Sequence, residues 1–61
     1  IMISDKDLRK LIEAAGEQAM ELETAAKVAA QNGMYESGAA LRNKADGVRI
    51  VIEALNQFVK E

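Results

Sequence analysis

The segment Ala29-Ala30-Gln31-Asn32-Gly33-Met34-Tyr35 decides how this chain folds, because Asn32-Gly33 is its plainest helix breaker and separates two long stretches with apolar residues at helical spacing. A left-handed glycine at that point closes a first helix and lets a second begin within a few residues, the short connection that joins antiparallel neighbours. The chain therefore reads as one helical hairpin, in a single domain covering 1–61. The first helix runs over about 5–32, the turn over about 33–36 and the second helix over about 37–60, starting at Tyr35 or Ser37.

Upstream of the turn, the start of the first helix is clearly written. Ser4 is its N-cap, Asp7 takes the capping-box position, and Ile3 is spaced to staple onto Leu8. Asp5 and Asp7 also suit the positive end of the helix dipole. Leu8, Leu11, Ile12, Ala15, Ala19, Leu22, Ala25, Ala26 and Ala29 then form the apolar stripe. Met34 is placed to fold back over the last turn.

Downstream, Leu41, Ala45, Val48, Ile52, Leu55 and Val59 form the second stripe, and Ile50, Val51, Ala54 and Phe58 widen it around much of the helix. A competing reading makes Asp46-Gly47 a turn and Val48–Ile52 a strand, but that strand has no partner to satisfy its backbone. Folding at Gly33 brings Ile3, Leu8, Leu11 and Ile12 opposite Val51, Ile52, Leu55, Phe58 and Val59. The end near the turn is built of Ala and Gly, where the axes can approach closely. The bulky open end is expected to splay and present surface.

Size sharpens the last point. A chain of 61 residues hides only about 60% of its unfolded surface and usually needs a staple. Cys and His are both absent, which removes disulfides, Cys/His zinc sites and a histidine general base. The expected substitute is self-association: an all-α hairpin assembling into a four-helix-type or larger bundle. The expected interface comprises Leu8, Ile12, Ile50, Val51, Ile52, Leu55, Phe58 and Val59.

No residue cluster carries a chemical signature, and the candidates each have a structural reading beside the functional one. Gly16 and Gly47 cost their helices about 1 kcal/mol each relative to Ala, which close helix packing would offset; approach by a ligand or partner backbone is the alternative. Arg42, Asp46, Arg49 and Glu53 are spaced as a surface ladder of ion pairs. The sharper reading makes Arg42, Lys44 and Arg49 a phosphate clamp. Glu13, Glu17 and Glu21 stack every four residues, as a solvated or interhelical charged face or, less simply, as ligands for a hard cation. Glu17 with Arg49, or Glu23 with Lys44, are the pairs expected across the hairpin.

Lys6, Arg9 and Lys10 form a short basic face. Tyr35 is expected to cap the turn, since one aromatic cannot build a base-stacking platform. Ser4, Thr24 and Ser37 lack a base to activate them, so an enzyme is not expected, and no cofactor is implied.

A net charge of −2 without a polybasic run disfavours RNA as a partner, and no apolar run approaches the roughly 18 residues of a membrane span. Met2-Ile3-Ser4-Asp5 lacks a signal-peptide pattern, which points to the cytoplasm. Ile1 ahead of Met2 reads as an added residue in front of a small free-standing protein.

Leu8, Ile12, Gly16 and Leu22, with Gly47 in an apolar second helix, resemble the phage-encoded anti-CBASS sponge proteins, small helical oligomers. That resemblance implies sequestration of a cyclic oligonucleotide without cleavage; on residue chemistry the ligand-binding candidates are Arg42, Lys44, Arg49, Lys6, Arg9, Lys10 and Tyr35. The length and mid-chain turn are also similar to the plasmid Rop-type RNA-binding hairpin dimers, in architecture alone. The leading expectation is a non-enzymatic, self-associating binding module, a homodimer or higher homo-oligomer, of a phage- or plasmid-type accessory or inhibitory kind. Another protein is a further candidate partner. The alternatives are the anionic-ligand sponge and a Rop-like RNA binder.

Overall fold

Ser4 starts the first helix by accepting a 3.1 Å hydrogen bond from the Asp7 backbone N–H, which satisfies one of the donors that a helix N-terminus leaves free. In the computed structural model, which describes residues 3–60, α1 runs Asp5–Gln31 and α2 runs Tyr35–Asn56. The reading of Ile1 lies outside the described residues. At the end of α1, Gly33 has φ 77°, the Gly33 N–H donates to the Ala30 carbonyl at 3.0 Å, and the Met34 N–H donates to the Ala29 carbonyl at 2.8 Å. These two crossed bonds make a Schellman turn, which consumes the carbonyls a helix end would otherwise leave unpaired.

The hairpin expected from the sequence is present, and Val48–Ile52 is helix rather than strand. The second helix begins at Tyr35, the earlier of the two expected starts, and ends at Asn56 instead of 60. Beyond Asn56 the Phe58 N–H reaches back three residues to Leu55 and the Val59 N–H to Asn56. The last turn tightens to a 3₁₀ pattern because no glycine or other cap stops it.

The inward positions follow a strict rhythm. On α1 they are Leu8, Ile12, Ala15, Ala19, Leu22, Ala26 and Ala29; on α2 and just beyond it, Gly38, Leu41, Ala45, Val48, Ile52, Leu55 and Val59. Steps of four and three alternate along both, an average of 3.5 residues, which is the seam of a left-handed antiparallel pair. The second stripe expected from the sequence is this seam, lacking only Gly38. In the first, Leu11 and Ala25 are exposed, because a seam two residues wide per turn leaves their positions to one side.

Gly38, not Gly16 or Gly47, is where the helices approach most closely. A Cβ at Gly38 would stand 3.1 Å from the Ala26 carbonyl oxygen and 3.7 Å from the Ala29 Cβ, whereas at Gly16 or Gly47 it would meet nothing within 4 Å. The close packing expected at those two glycines is therefore not found within the hairpin. Gly16→Ala should raise stability by about 0.5–1 kcal/mol through helix propensity. Gly38→Ala should lose that gain against the Ala26 backbone and come out neutral or destabilising. Urea unfolding of the two variants beside the parent checks the opposite signs.

What the seam buries is small. Among the described residues the buried apolar ones are Leu8, Ala19, Ala26 and Ala45, three of them alanines. The chain is a rod, 44 × 20 × 14 Å, with a radius of gyration of 14.1 Å where a compact chain of this length has about 10.5 Å. Its accessible surface is 4961 Å², about 1,100 Å² above the roughly 3,900 Å² expected of a compact 6.6 kDa monomer.

Candidate functional site

The helical phase of the seam divides the outer surface of the hairpin into two flanks of different chemistry. In an antiparallel pair, residues just after an inward position on one helix meet their equivalents on the other. Glu23 and Arg49 show this directly. The Arg49 guanidinium donates from Nε to Glu23 Oε2 and from Nη2 to Glu23 Oε1, both at 2.8 Å. Arg9 lies on the same flank and donates from Nη2 to the Lys60 carbonyl at 2.7 Å. Arg42 is close enough to Glu23 to favour its charged form. This polar flank, with Gly16 and Ala30 in the same phase, is held shut by bonds between α1 and the α2 side of the hairpin.

The bidentate pair replaces the expected ones. Glu17 lies on the outward face of α1 and Lys44 on the opposite flank, so neither Glu17 with Arg49 nor Glu23 with Lys44 is formed. The ladder of Arg42, Asp46, Arg49 and Glu53 is absent too, because Arg49 takes its carboxylate from α1; among the described residues the ion pair within 4.0 Å is Arg49 with Glu23.

The Arg49 fork holds the Glu23 carboxyl below its ordinary value, and Glu23 raises the Arg49 guanidinium in return. A carboxyl lowered by folding stabilises the fold above its unfolded pKa and loses that contribution as pH falls through the lowered value. Glu23→Gln should therefore be slightly less stable than the parent near neutrality, and the two should converge as the pH falls through and below the ordinary carboxyl range. The effect is small and salt-screened at this exposed position. Thermal melts from pH 7 to pH 3 at low and high salt check it.

The second flank is apolar. Leu11, Ala14, Ala25 and Val28 on α1 share it with Ala40, Gly47, Val51 and Ala54 on α2, and Phe58 continues the α2 row just past the helix end. Exposure is 48% at Leu11, 55% at Val51 and 71% at Phe58, so these side chains face solvent. At the open end Phe58 rims a recess with Ile3, Asp5, Leu8, Leu55 and Lys60. The polar members of this flank are Asp7, Gln18, Glu21, Ser37 and Lys44.

The residues expected at an oligomer interface thus fall into three groups. Leu8, Ile12, Ile52, Leu55 and Val59 lie in the seam of the hairpin itself; Val51 and Phe58 lie on the apolar flank; Ile50 stands on the back of α2, 66% exposed. The expected anion-binding residues are likewise dispersed. Arg42 and Arg49 lie on the polar flank, Lys44 on the apolar one, and Lys6, Arg9 and Lys10 near the open end of α1. They do not converge as a clamp.

Tyr35 does not cover the turn: as the first residue of α2 it is 73% exposed, and Met34 is 56% exposed. Beside Tyr35, however, a shallow recess over Gly38 is rimmed by Lys27 and Arg42, and Lys27 was not singled out by spacing alone. Glu13, Glu17 and Glu21 wind around the outside of α1 as exposed residues; among the described residues no group of three metal-ligating side chains comes together. No helix among the described residues is long and apolar enough to cross a membrane. Comparison with protein-family models, with curated proteins and with solved structures returned no match.

Proposed function

We propose that this chain is a non-enzymatic, self-associating helical-hairpin module that acts through a surface rather than a reaction centre. The observation that carries this reading is the surplus of about 1,100 Å² of surface over a compact monomer of the same mass, coupled to an apolar flank. A standard stable interface buries about 800 Å² per partner, so the surplus is the size that one association would remove. The buried core, one leucine and three alanines, is too small to hold a lone hairpin firmly.

A phage- or plasmid-type accessory or inhibitory role suits a module of this scale. If the folded state is an oligomer, its melting temperature rises with chain concentration, because association stabilises only the folded form. A melting temperature constant from 1 µM to 1 mM would contradict the proposal.

A second reading, sequestration of an anionic ligand such as a cyclic oligonucleotide, has one observation in its favour. Lys27, Arg42 and Tyr35 rim one recess, which sets two cations beside an aromatic face. Cyclic oligonucleotides added in excess should then raise the melting temperature of the parent and leave Arg42→Ala unmoved. No shift in the parent would remove this reading.

A further inference from the structure

We infer that the apolar flank is covered by a second copy of this chain, face to face, with the two turns at the same end of a four-helix bundle. The inference rests on the self-association proposed above and adds its geometry. Two hairpins can pack this flank on itself about a two-fold axis in two ways. With the axis along the helices, the turns lie together and α1 of one copy meets α2 of the other; with the axis across them, the turns lie at opposite ends and each helix meets its own equivalent.

The distribution of residues along the flank separates the two. Its two largest side chains, Leu11 and Phe58, lie toward the open end, with Val51 near the middle and Val28 near the turn; of its charges, Asp7 lies at the open end and Glu21 and Lys44 lie nearer the turn. The close approach of Gly38 to Ala26, Ala29 and Ala30 sets the register of the hairpin, and at that register Glu21 and Lys44 lie within about a turn of one level on different helices.

With the turns together, Leu11 meets Phe58 of the second copy, and Glu21 meets its Lys44, twice over by symmetry. The two largest apolar side chains cover one another, and Glu21 and Lys44 each find an opposite charge. With the turns apart, Lys44 is laid against Val51, Glu21 against Ala14 and Phe58 against the small residues near Ala40. That arrangement buries unpaired charges and leaves the largest side chain without a large partner. Gly47, whose missing Cβ the hairpin itself does not require, lies on this same flank, where it allows the second copy's backbone close in.

The chain has no cysteine, so Met34→Cys, at the tip of the turn, carries a single spin label. Stacked layers of helices are about 10 Å apart, so the inference predicts labels within about 25 Å of each other in the dimer. Opposed turns would separate them by about the 44 Å length of the rod. Sedimentation on the same sample fixes the stoichiometry. A dimer with the long distance, or an assembly other than a dimer, overturns the inference and leaves self-association standing; a monomer overturns both.

A charge exchange supplies an independent arm. Lys44→Glu should weaken the dimer by roughly ten-fold or more, and Lys44→Glu with Glu21→Lys should restore it. A double variant no better than the single one counts against the pairing and hence against the arrangement.

Discussion

Ile52→Asp should unfold the chain. Ile52 occupies the seam between the helices, four residues after Val48 and three before Leu55. An aspartate there removes the packing of a large aliphatic side chain, about 2–5 kcal/mol, and holds a carboxylate against apolar neighbours with no cation in the seam to pair it. A chain of this size has about 3–9 kcal/mol of stability in all. The expected result is loss of the helical circular-dichroism signal at 25 °C. Retention of a full helical signal would mean that the seam is not what holds the helices together.

The neighbouring substitution should behave differently. Val51 lies one residue away but on the apolar flank, 55% exposed, and Asp and Val have similar intrinsic helix propensities. In a lone hairpin Val51→Asp would therefore change stability by no more than about 0.5 kcal/mol. In the assembly proposed here, two copies each lose an apolar contact and bury a charge, for a cost of at least about 3 kcal/mol per dimer and a hundred-fold or greater rise in its dissociation constant. Because the lone hairpin is marginal, the melting temperature at micromolar concentration should fall with it. Sedimentation of parent and variant at matched concentrations reads the difference. Equal behaviour of the two would leave the flank without a role in association.

The contrast between Ile52 and Val51 also marks what was legible in the sequence. The hairpin, the Ser4 cap and the Gly33 turn are local signals, each set by residues within a turn of one another, and all three stand in the structure. The α2 seam was legible because its 4-3 steps are clean from Leu41 to Val59. The α1 seam was read too broadly, since Leu11 and Ala25 are apolar and only the narrowness of a two-helix contact puts them outside it.

The cross-helix partners were not legible, because periodicity fixes the phase of each helix and leaves the offset between the two open. Glu23 pairs with Arg49 only once that offset is set. The spacing of Gly38 before Leu41 and Ala45 continued the seam into the turn and was the available signal for the close approach there; a glycine at an inward position is its mark. The end of α2 was overextended because neither a glycine nor a proline follows Asn56 to announce it. Lys27 beside Arg42 and Tyr35 was missed for the same reason as Glu23: its neighbours are on the other helix.

The division of the hairpin into a bonded polar flank and a bare apolar one is the finding on which the functional reading depends. One flank has Arg49 donating to Glu23 and Arg9 donating to the Lys60 carbonyl; the other has Leu11, Val51 and Phe58 in water. Sedimentation equilibrium of the unmodified chain across micromolar concentrations tests it most directly. A mass near twice 6.6 kDa is the predicted result; a folded, cooperatively melting species of 6.6 kDa across the whole range would contradict it.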